Sequence, residues 1–394
     1  MAAAVLLSGC GGGEEPAKQL TDREILTLVY EQAGGENWEE KNKENWCVEE
    51  AEIGTWKGVK TNEEGRVVEL TLREPKGVIP AEIGGLTELK KLTIYMKNKE
   101  KDNDPADCIP ASISELVNLE ELTLSVGEMA ANVPDLSGMT KLQTLDLSFP
   151  DATPFPTLEG LTALTSLDLN GFSGNIPEGI YEMKDLKRLY ILTSGLKNGL
   201  SPKIGELKAL EHLQIDHTAG FIGRVQNPDA PLPEEVFSLE NVKVVFLRAI
   251  SNSGTVPPAI GGMKNLTNMT LCNLGLTGEL PKEIGDLPKI KKLSIYNNKL
   301  TGQIPPEIGK ATTLTELWLQ QNELSGPIPP AIGNLVNLES LYLANNKLTG
   351  KIPVELAKCT KLGKGVFTDF SKNQLDPNVP DAVKKLEYFK KFKF

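Results

Sequence analysis

The strongest constraint on the fold of this 394-residue chain is a phrase that returns about every 24 residues between positions 66 and 375. In each copy two apolar residues flank a single residue, a turn follows, and an Ile-Pro or Val-Pro step leads to an Ile-Gly-x-Leu segment. A repeat of this length predicts a solenoid, in which each coil packs only against its neighbours. The apolar residues that end successive strands are predicted at Leu72, Ile94, Leu124, Leu147, Leu169, Ile191, Ile215, Leu247, Leu271, Ile295, Leu319, Leu343 and, in a decayed last copy, Phe370.

The phrase resembles the plant-specific class of leucine-rich repeat, L-x-x-L-x-L-x-x-N-x-L-x-G-x-I-P, over residues 66–375. The resemblance implies an α/β leucine-rich-repeat solenoid of about 12–13 coils, a curved right-handed coil with a parallel β-sheet on its concave face and short helical or 3-10 turns on its convex face. Because side chains alternate along a strand, Leu-x-Leu is expected to bury both leucines and expose the middle residue.

Asparagines fall where the chain leaves the strand in the last copies, and their amides are expected to hydrogen-bond backbone groups of neighbouring turns. These residues are Asn298, Asn322, Asn346 and Asn373. The middle copies have other residues at this position, namely Ser194, Thr218, Ile250 and Leu274. The backbone groups of their turns must therefore find other hydrogen-bond partners.

Both ends of the repeat array are predicted to carry caps. Residues 21–65 open with a capping box from Thr21 to Glu24, and their three tryptophans and W-x-G-V segment resemble the N-terminal cap of plant-type leucine-rich-repeat receptors. Trp38, Trp46 and Trp56 are expected to seal the open end of the core. Only Cys47 of the family's cap cysteines is present, and a disulfide with Cys108 is left open. Residues 376–394 are predicted as a C-terminal cap, with a helix over 381–389 and a solvated basic tail.

The first ten residues resemble a bacterial lipoprotein signal. Leu7-Ser8-Gly9-Cys10 is similar to the lipobox, although no Lys or Arg precedes the short apolar stretch. The resemblance implies removal of residues 1–9, acylation of Cys10 with chains such as palmitate, and a flexible tether over 10–20. The acidic run after Cys10 resembles the surface-export signal of Bacteroidetes lipoproteins. We therefore expect a lipid-anchored protein of the bacterial cell envelope, at the outer membrane and displayed on its surface; the alternative is an apolar disordered tail.

Composition narrows the function classes. The formal net charge of -11 argues against a nucleic-acid partner, since phosphate binding requires clustered Lys and Arg. No apolar run approaches the roughly 20 residues that span a bilayer. The five cysteines include no C-x-x-C pair, and no histidine stands at zinc spacing, so neither a metal site nor a cofactor is predicted.

Two groups of exposed residues are predicted as ligand sites on the concave face, because aromatic rings there have no core to fill. The first group is Tyr296, Trp318, Gln320 and Tyr342; the second, beside a large insertion over 216–231, is Arg188, Tyr190, His212, Asp216, Phe246 and Arg248. The prediction is a monomeric, non-enzymatic scaffold for a protein, peptide or glycan. Two alternatives are a spacer or adhesin shaft without a discrete ligand and, more distantly, a hydrolase that uses His212 and Asp216.

Overall fold

The chain forms a solenoid of stacked coils, described by a computed structural model at residues 19–96, 108–127, 132–217, 231–250 and 253–394. The predicted signal, most of the tether and most of the insertion over 216–231 lie outside these residues. The strands are β1 Val59–Thr61, β2 Val67–Arg73, β3 Lys91–Tyr95, β4 Glu121–Ser125, β5 Thr144–Pro154, β6 Ser166–Gly174, β7 Arg188–Leu196, β8 His212–His217, β9 Val244–Arg248, β10 Asn268–Cys272, β11 Lys292–Tyr296, β12 Glu316–Trp318, β13 Ser325–Pro327, β14 Ser340–Tyr342, β15 Lys347–Gly350, β16 Thr368–Asp369 and β17 Gln374–Leu375.

One sheet of 14 strands runs through the described coils in chain order, from β1 to β12 and on through β14 and β16. Every pairing is parallel except β1 with β2. Leu317 pairs with Leu341, and both are fully buried. This architecture confirms the leucine-rich-repeat solenoid, and the burial pattern confirms the predicted strand register.

Short 3-10 turns form the side opposite the sheet in most of the described coils. Where a turn contains an Ile-Gly pair, both residues are buried. The glycine allows close stacking, because a Cβ at Gly309 would lie only 2.4 Å from the carbonyl oxygen of Ala331 in the next coil. Any side chain at Gly309 would therefore push the coils apart. The turns span Ala81–Gly85, Ala111–Glu115, Glu178–Glu182, Pro202–Glu206, Glu234–Ser238, Pro258–Gly262, Lys282–Asp286, Pro306–Lys310, Pro330–Asn334 and Val354–Lys358.

Asparagine amides join successive coils in the last repeats, as predicted. The Asn346 Oδ1 accepts from the backbone N–H of Leu324 at 3.1 Å, while its Nδ2 donates to the carbonyls of Leu319 and Leu343 at 3.0 Å each. Asn298, Asn322 and Asn373 make equivalent bonds. These amides satisfy backbone groups that water does not reach.

In the coils of β5, β6 and β7, backbone pairing replaces part of this asparagine ladder. These three strands continue past the turn, so that Pro154 pairs with Ser173 and Gly174 pairs with Leu196. Thr193 adds a side-chain hydrogen bond to the carbonyl of Phe172. Of the four copies that lack the asparagine, the one with Ser194 therefore has a longer strand in its place, whereas β8, β9 and β10 end at the turn.

The N-terminal cap covers the first coil with α1 Asp22–Gln32 and α2 Glu40–Lys43. The capping box at Thr21 and Glu24 is present. Trp38, Trp46 and Trp56 are at most 5% exposed and pack with centroids 5.2 Å apart in each successive pair, which confirms their sealing role. Cys47 and Cys108 are not joined by a disulfide. No helix in the described ranges is long and apolar enough to cross a membrane.

The C-terminal cap differs from the prediction. The helix α3 covers only Asp381–Lys384, because the chain then turns back so that Lys393 pairs with Asp369 at the edge of the sheet. Phe394 stacks on Phe370 with centroids 5.5 Å apart, and Phe392 is 9% exposed. The expectation of a solvated tail is therefore wrong for Phe392, which is buried against the last coil, whereas Phe394 stacks on Phe370 but stays 50% exposed.

Candidate ligand-binding face

The candidate surface is the solvent-facing, concave side of the 14-stranded sheet. Strand register places one residue from each coil in a line along this face, which we call the middle column. It runs through Thr71, Thr93, Thr123, Asp146, Asp168, Tyr190, Gln214, Phe246, Thr270, Ser294, Trp318, Tyr342 and Asp369. Residues two positions earlier or later on each strand form flanking columns, because side chains alternate.

The aromatic patch consists of Tyr296, Trp318, Tyr342 and Phe367. Phe367 stacks on Tyr342 with centroids 5.3 Å apart and meets Trp318 edge to face at 5.8 Å. Tyr296 lies 6.4 Å from Trp318 on the other side. The rings of Tyr296, Trp318 and Tyr342 are partly exposed, and Phe367 is 39% exposed. The structure thus brings together the three aromatic residues of the first predicted group and adds a fourth.

Gln320 does not present a contact surface, although it was predicted to. Its side chain occupies the flanking column next to Tyr296, but the residue is only 5% exposed and its Oε1 has no hydrogen-bond partner. Gln320 is therefore buried and does not add to the exposed aromatic patch.

The arginine patch consists of the second predicted group. Arg248 donates from Nε and Nη2 to the two carboxylate oxygens of Asp216 at 2.7 Å each, and its guanidinium lies 5.6 Å from the ring of Phe246. Arg188 is paired with Asp168 at 2.9 Å and lies 5.4 Å from the ring of Tyr190. The patch holds two arginines in fixed orientations over aromatic rings.

The electrostatics of the arginine patch follow from these pairs. The hydrogen bond to Asp216 raises the pKa of Arg248 above its ordinary value. Asp216 is 6% exposed, and Arg248 supplies the positive charge opposite its carboxylate. Asp146, one strand before Asp168, takes part in no salt bridge found among the described residues. Burial raises the pKa of the Asp146 carboxyl, and repulsion from Asp168 raises it further.

The two patches are contiguous. Arg248, Cys272 and Tyr296 occupy the same flanking column on the adjacent strands β9, β10 and β11. Burial raises the pKa of the Tyr296 hydroxyl, and the neighbouring Cys272 side chain raises it further. A single bound chain could therefore contact both patches.

The arrangement around the histidines does not build a metal site in the described part of the chain, where no group of three or more His, Cys, Asp and Glu residues could hold an ion. The Asp216 carboxylate is occupied by Arg248. The Nδ1 of His217 lies 3.2 Å from the carbonyl oxygen of Ala249. His212 lies two residues before Gln214 on β8 and faces the same side.

Comparisons with known proteins agree with this fold. Residues 289–311, 313–335 and 337–359 match the family described as Leucine Rich Repeat. No curated protein matches the sequence. The repeats and the fold together identify the chain as a leucine-rich-repeat solenoid with plant-type repeats.

Similar solved structures come from plants and bacteria. The leucine-rich-repeat ectodomain of the Arabidopsis thaliana membrane receptor kinase GASSHO1/SCHENGEN3, in complex with CASPARIAN STRIP INTEGRITY FACTOR 2, has a TM-score of 0.69 at 22% identity, over 93% of this chain and 49% of that chain. A plant peptide hormone receptor in complex with RGF2 has a TM-score of 0.65 at 25% identity, over 86% and 60%. A Leptospira interrogans leucine-rich-repeat protein has a TM-score of 0.63 at 27% identity, over 84% and 85%. The present chain thus spans about half of the first receptor chain.

Proposed function

We propose that this chain is a non-enzymatic binding scaffold whose concave face holds a protein, peptide or glycan partner. One observation carries the proposal: the four rings of the aromatic patch are partly exposed on the concave face, where they do not close either end of the hydrophobic core. Large aromatic residues and arginines are the residues that contribute most to binding at interfaces. The arginine patch lies beside the aromatic patch and extends the same surface.

The comparisons support a binding role at the level of the fold. Two of the similar structures are plant receptors in complex with their named partners. In a scaffold that binds by surface complementarity, the binding energy is expected to concentrate in a few buried anchors. Trp318 and Tyr342 are the expected anchors here.

The test is a partner search followed by substitution. The immobilised chain is screened against glycan and protein arrays, and the affinity of each captured partner is measured by calorimetry. Trp318→Ala should lower the affinity by about 2 kcal/mol, roughly thirtyfold, without changing the melting temperature. Thr270→Ala, at a middle-column position outside both patches, is the matched control. A partner that binds the double variant Trp318→Ala, Tyr342→Ala at full strength would place the site elsewhere or favour a passive shaft.

We further propose that the protein is held at the bacterial outer membrane by acyl chains on Cys10. The support is the lipobox-like Leu7-Ser8-Gly9-Cys10 sequence, which lies outside the described residues. Expressed with a complete signal, Cys10→Ala should move the protein from the membrane to the soluble fraction, whereas Cys47→Ala should leave it in the membrane. Membrane retention of the Cys10→Ala variant would contradict the lipid anchor.

A further inference from the structure

The last coil contains three more residues than the coil before it, and they lie directly at the aromatic patch. Leu338 and Leu341 are three residues apart, whereas their counterparts Leu362 and Thr368 are six apart. The insertion is anchored at both ends: the backbone N–H groups of residues 363 and 365 both donate to the carbonyl of Glu339, at 2.9 and 3.0 Å. Its path ends with Phe367 on the concave face.

Glycine makes this path possible. Gly363 has a φ of +91°, and a Cβ there would lie 2.6 Å from the Cβ of Tyr388. At Gly365 a Cβ would lie 3.0 Å from the carbonyl oxygen of Glu339. The tip of the insertion exposes Val366 by 77%, although an apolar side chain gains no stability in water. Through Phe367, which is 39% exposed beside Trp318 and Tyr342, the insertion adds apolar area to the concave face.

Ser340 fixes the geometry of the patch from below. Its hydroxyl accepts from the indole Nε1 of Trp318 at 3.1 Å, donates to the carbonyl of Phe367, and accepts from the Phe367 N–H at 3.3 Å. The residue is 1% exposed, so no ligand touches it. Because serine is small, the ring of Trp318 reaches across it to Phe367. One buried hydroxyl thus orients two of the four rings.

The polar atoms at the centre of the patch are already occupied, because the Trp318 indole N–H and the Ser340 hydroxyl are paired with each other. Beyond them, the four rings offer the hydroxyls of Tyr296 and Tyr342. The unpaired Oε1 of Gln320 is buried beyond the reach of solvent. A sugar placed here would lose water from its hydroxyls with few partners to replace it, at about 1–3 kcal/mol for each unpaired group. An apolar side chain has no such cost and gains from burial.

We propose that the insertion and Ser340 convert the end of the concave face into a site for an apolar or aromatic side chain of a protein partner, with Phe367 as a ligand contact and Ser340 as a positioning residue. This inference rests on the proposed binding function and narrows its ligand from protein, peptide or glycan to protein. The charged residues of the arginine patch, which lie toward the N-terminus of the sheet, then contact polar parts of the same partner.

The positioning role is tested by the signal of Trp318 itself. The other three tryptophans are buried in the cap, so acrylamide quenching of fluorescence reports mainly on Trp318. Ser340→Ala should increase the quenching and shift the Trp318 indole N–H resonance upfield, since the indole loses its acceptor. Ser294→Ala is the matched control, because Ser294 is buried beside Trp318 in the middle column and takes no part in this hydrogen-bond network. If Ser340→Ala lowers the melting temperature but leaves both signals unchanged, its role is structural only and the positioning role is wrong.

The ligand class is tested with small probes on the full chain. N-acetyl-phenylalaninamide and N-acetyl-leucinamide represent apolar side chains, and cellohexaose and laminarihexaose represent glycans. The Trp318 indole resonance should respond to the amides, with dissociation constants in the millimolar range, and not to the oligosaccharides. Phe367→Ala and Ser340→Ala should each weaken amide binding by roughly threefold to tenfold, and Ser294→Ala should not.

The outcomes separate this inference from the proposed function. A response to the oligosaccharides alone, or to neither class of probe, overturns the side-chain site. The proposed function still stands in that case if a captured partner loses affinity on Trp318→Ala. Conversely, partner binding that no concave-face variant affects would refute the proposed function, even if the amides bind.

Discussion

Asn346 offers a direct measure of how much the asparagine ladder stabilises the solenoid. Replacing it with alanine removes four hydrogen bonds. The carbonyls of Leu319 and Leu343 each keep a second donor, from Asn322 and Asn373, and the carbonyl of Ala344 keeps a backbone N–H donor. Only the N–H of Leu324, a fully buried residue, loses its sole acceptor in the described structure. The expected cost is therefore that of one buried unpaired N–H, about 1–3 kcal/mol, and not four times that.

The measurement is urea unfolding followed by far-UV circular dichroism, with Asn334→Ala as the control because Asn334 is exposed. A double variant provides a second and more specific test. In the double variant Asn346→Ala, Asn373→Ala the carbonyl of Leu343 loses both its donors. The double variant should therefore lose more than the sum of the two single losses, by about 1 kcal/mol or more. Strict additivity would refute the ladder argument.

Two further predictions concern single residues of the sheet. Leu341→Ala should lower the free energy of unfolding by about 2–5 kcal/mol, because it leaves a cavity at a fully buried site. Tyr342→Ala, on the exposed face, should lower it far less. Equal losses in urea unfolding would mean that the strand register is wrong. Asp146→Asn should stabilise the protein at neutral pH, because the raised pKa of Asp146 means that its ionised form is disfavoured in the folded state. That gain in stability should vanish as the pH falls below about 3.9, the pKa of an aspartate in the unfolded chain. A gain that is independent of pH in unfolding titrations would contradict this prediction.

The repeat period was enough to predict the fold, the register and the exposed aromatic residues Trp318 and Tyr342. Alternation along a strand is a property of the backbone, so every intact Leu-x-Leu yields one exposed position. Phe367 was missed because the insertion interrupts that spacing, leaving no Leu-x-Leu to mark its strand. The only available signal was the step of 27 residues from Leu343 to Phe370, three more than the step from Leu319 to Leu343.

Gln320 and the C-terminal tail were mispredicted for a different reason. Alternation predicts which face of the sheet a side chain lies on, but not how exposed it is there, and Gln320 is only 5% exposed. The tail was interpreted from its lysines, whereas its position is decided by the apolar area of Phe392 and Phe394 against the open edge at Phe370. Local sequence does not show which surface remains uncovered at the end of a solenoid.

The two arginine pairs of the concave face give the last prediction, because they look alike in sequence but differ in burial. The side chains of Arg248 and Asp216 are 36% and 8% exposed, while those of Arg188 and Asp168 are 45% and 28% exposed. Removing Arg248 leaves a carboxylate with little access to water, and breaking a fully buried pair costs about 3–5 kcal/mol. Since Arg248 itself is partly exposed, we expect Arg248→Ala to cost about 2 kcal/mol, against about 0–1 kcal/mol for Arg188→Ala.

The double variant Asp216→Asn, Arg248→Ala shows whether the unpaired charge is the cause. It should recover part of the stability lost in Arg248→Ala, because the amide that replaces the carboxylate carries no charge. If Asp216 were instead a catalytic base, Asp216→Asn alone would abolish a turnover and Arg248 would matter only indirectly. The structure places both carboxylate oxygens of Asp216 on Arg248, so stability is the quantity expected to respond. Equal losses for Arg248→Ala and Arg188→Ala, with no recovery in the double variant, would mean that water solvates Asp216 as well as Arg248 does.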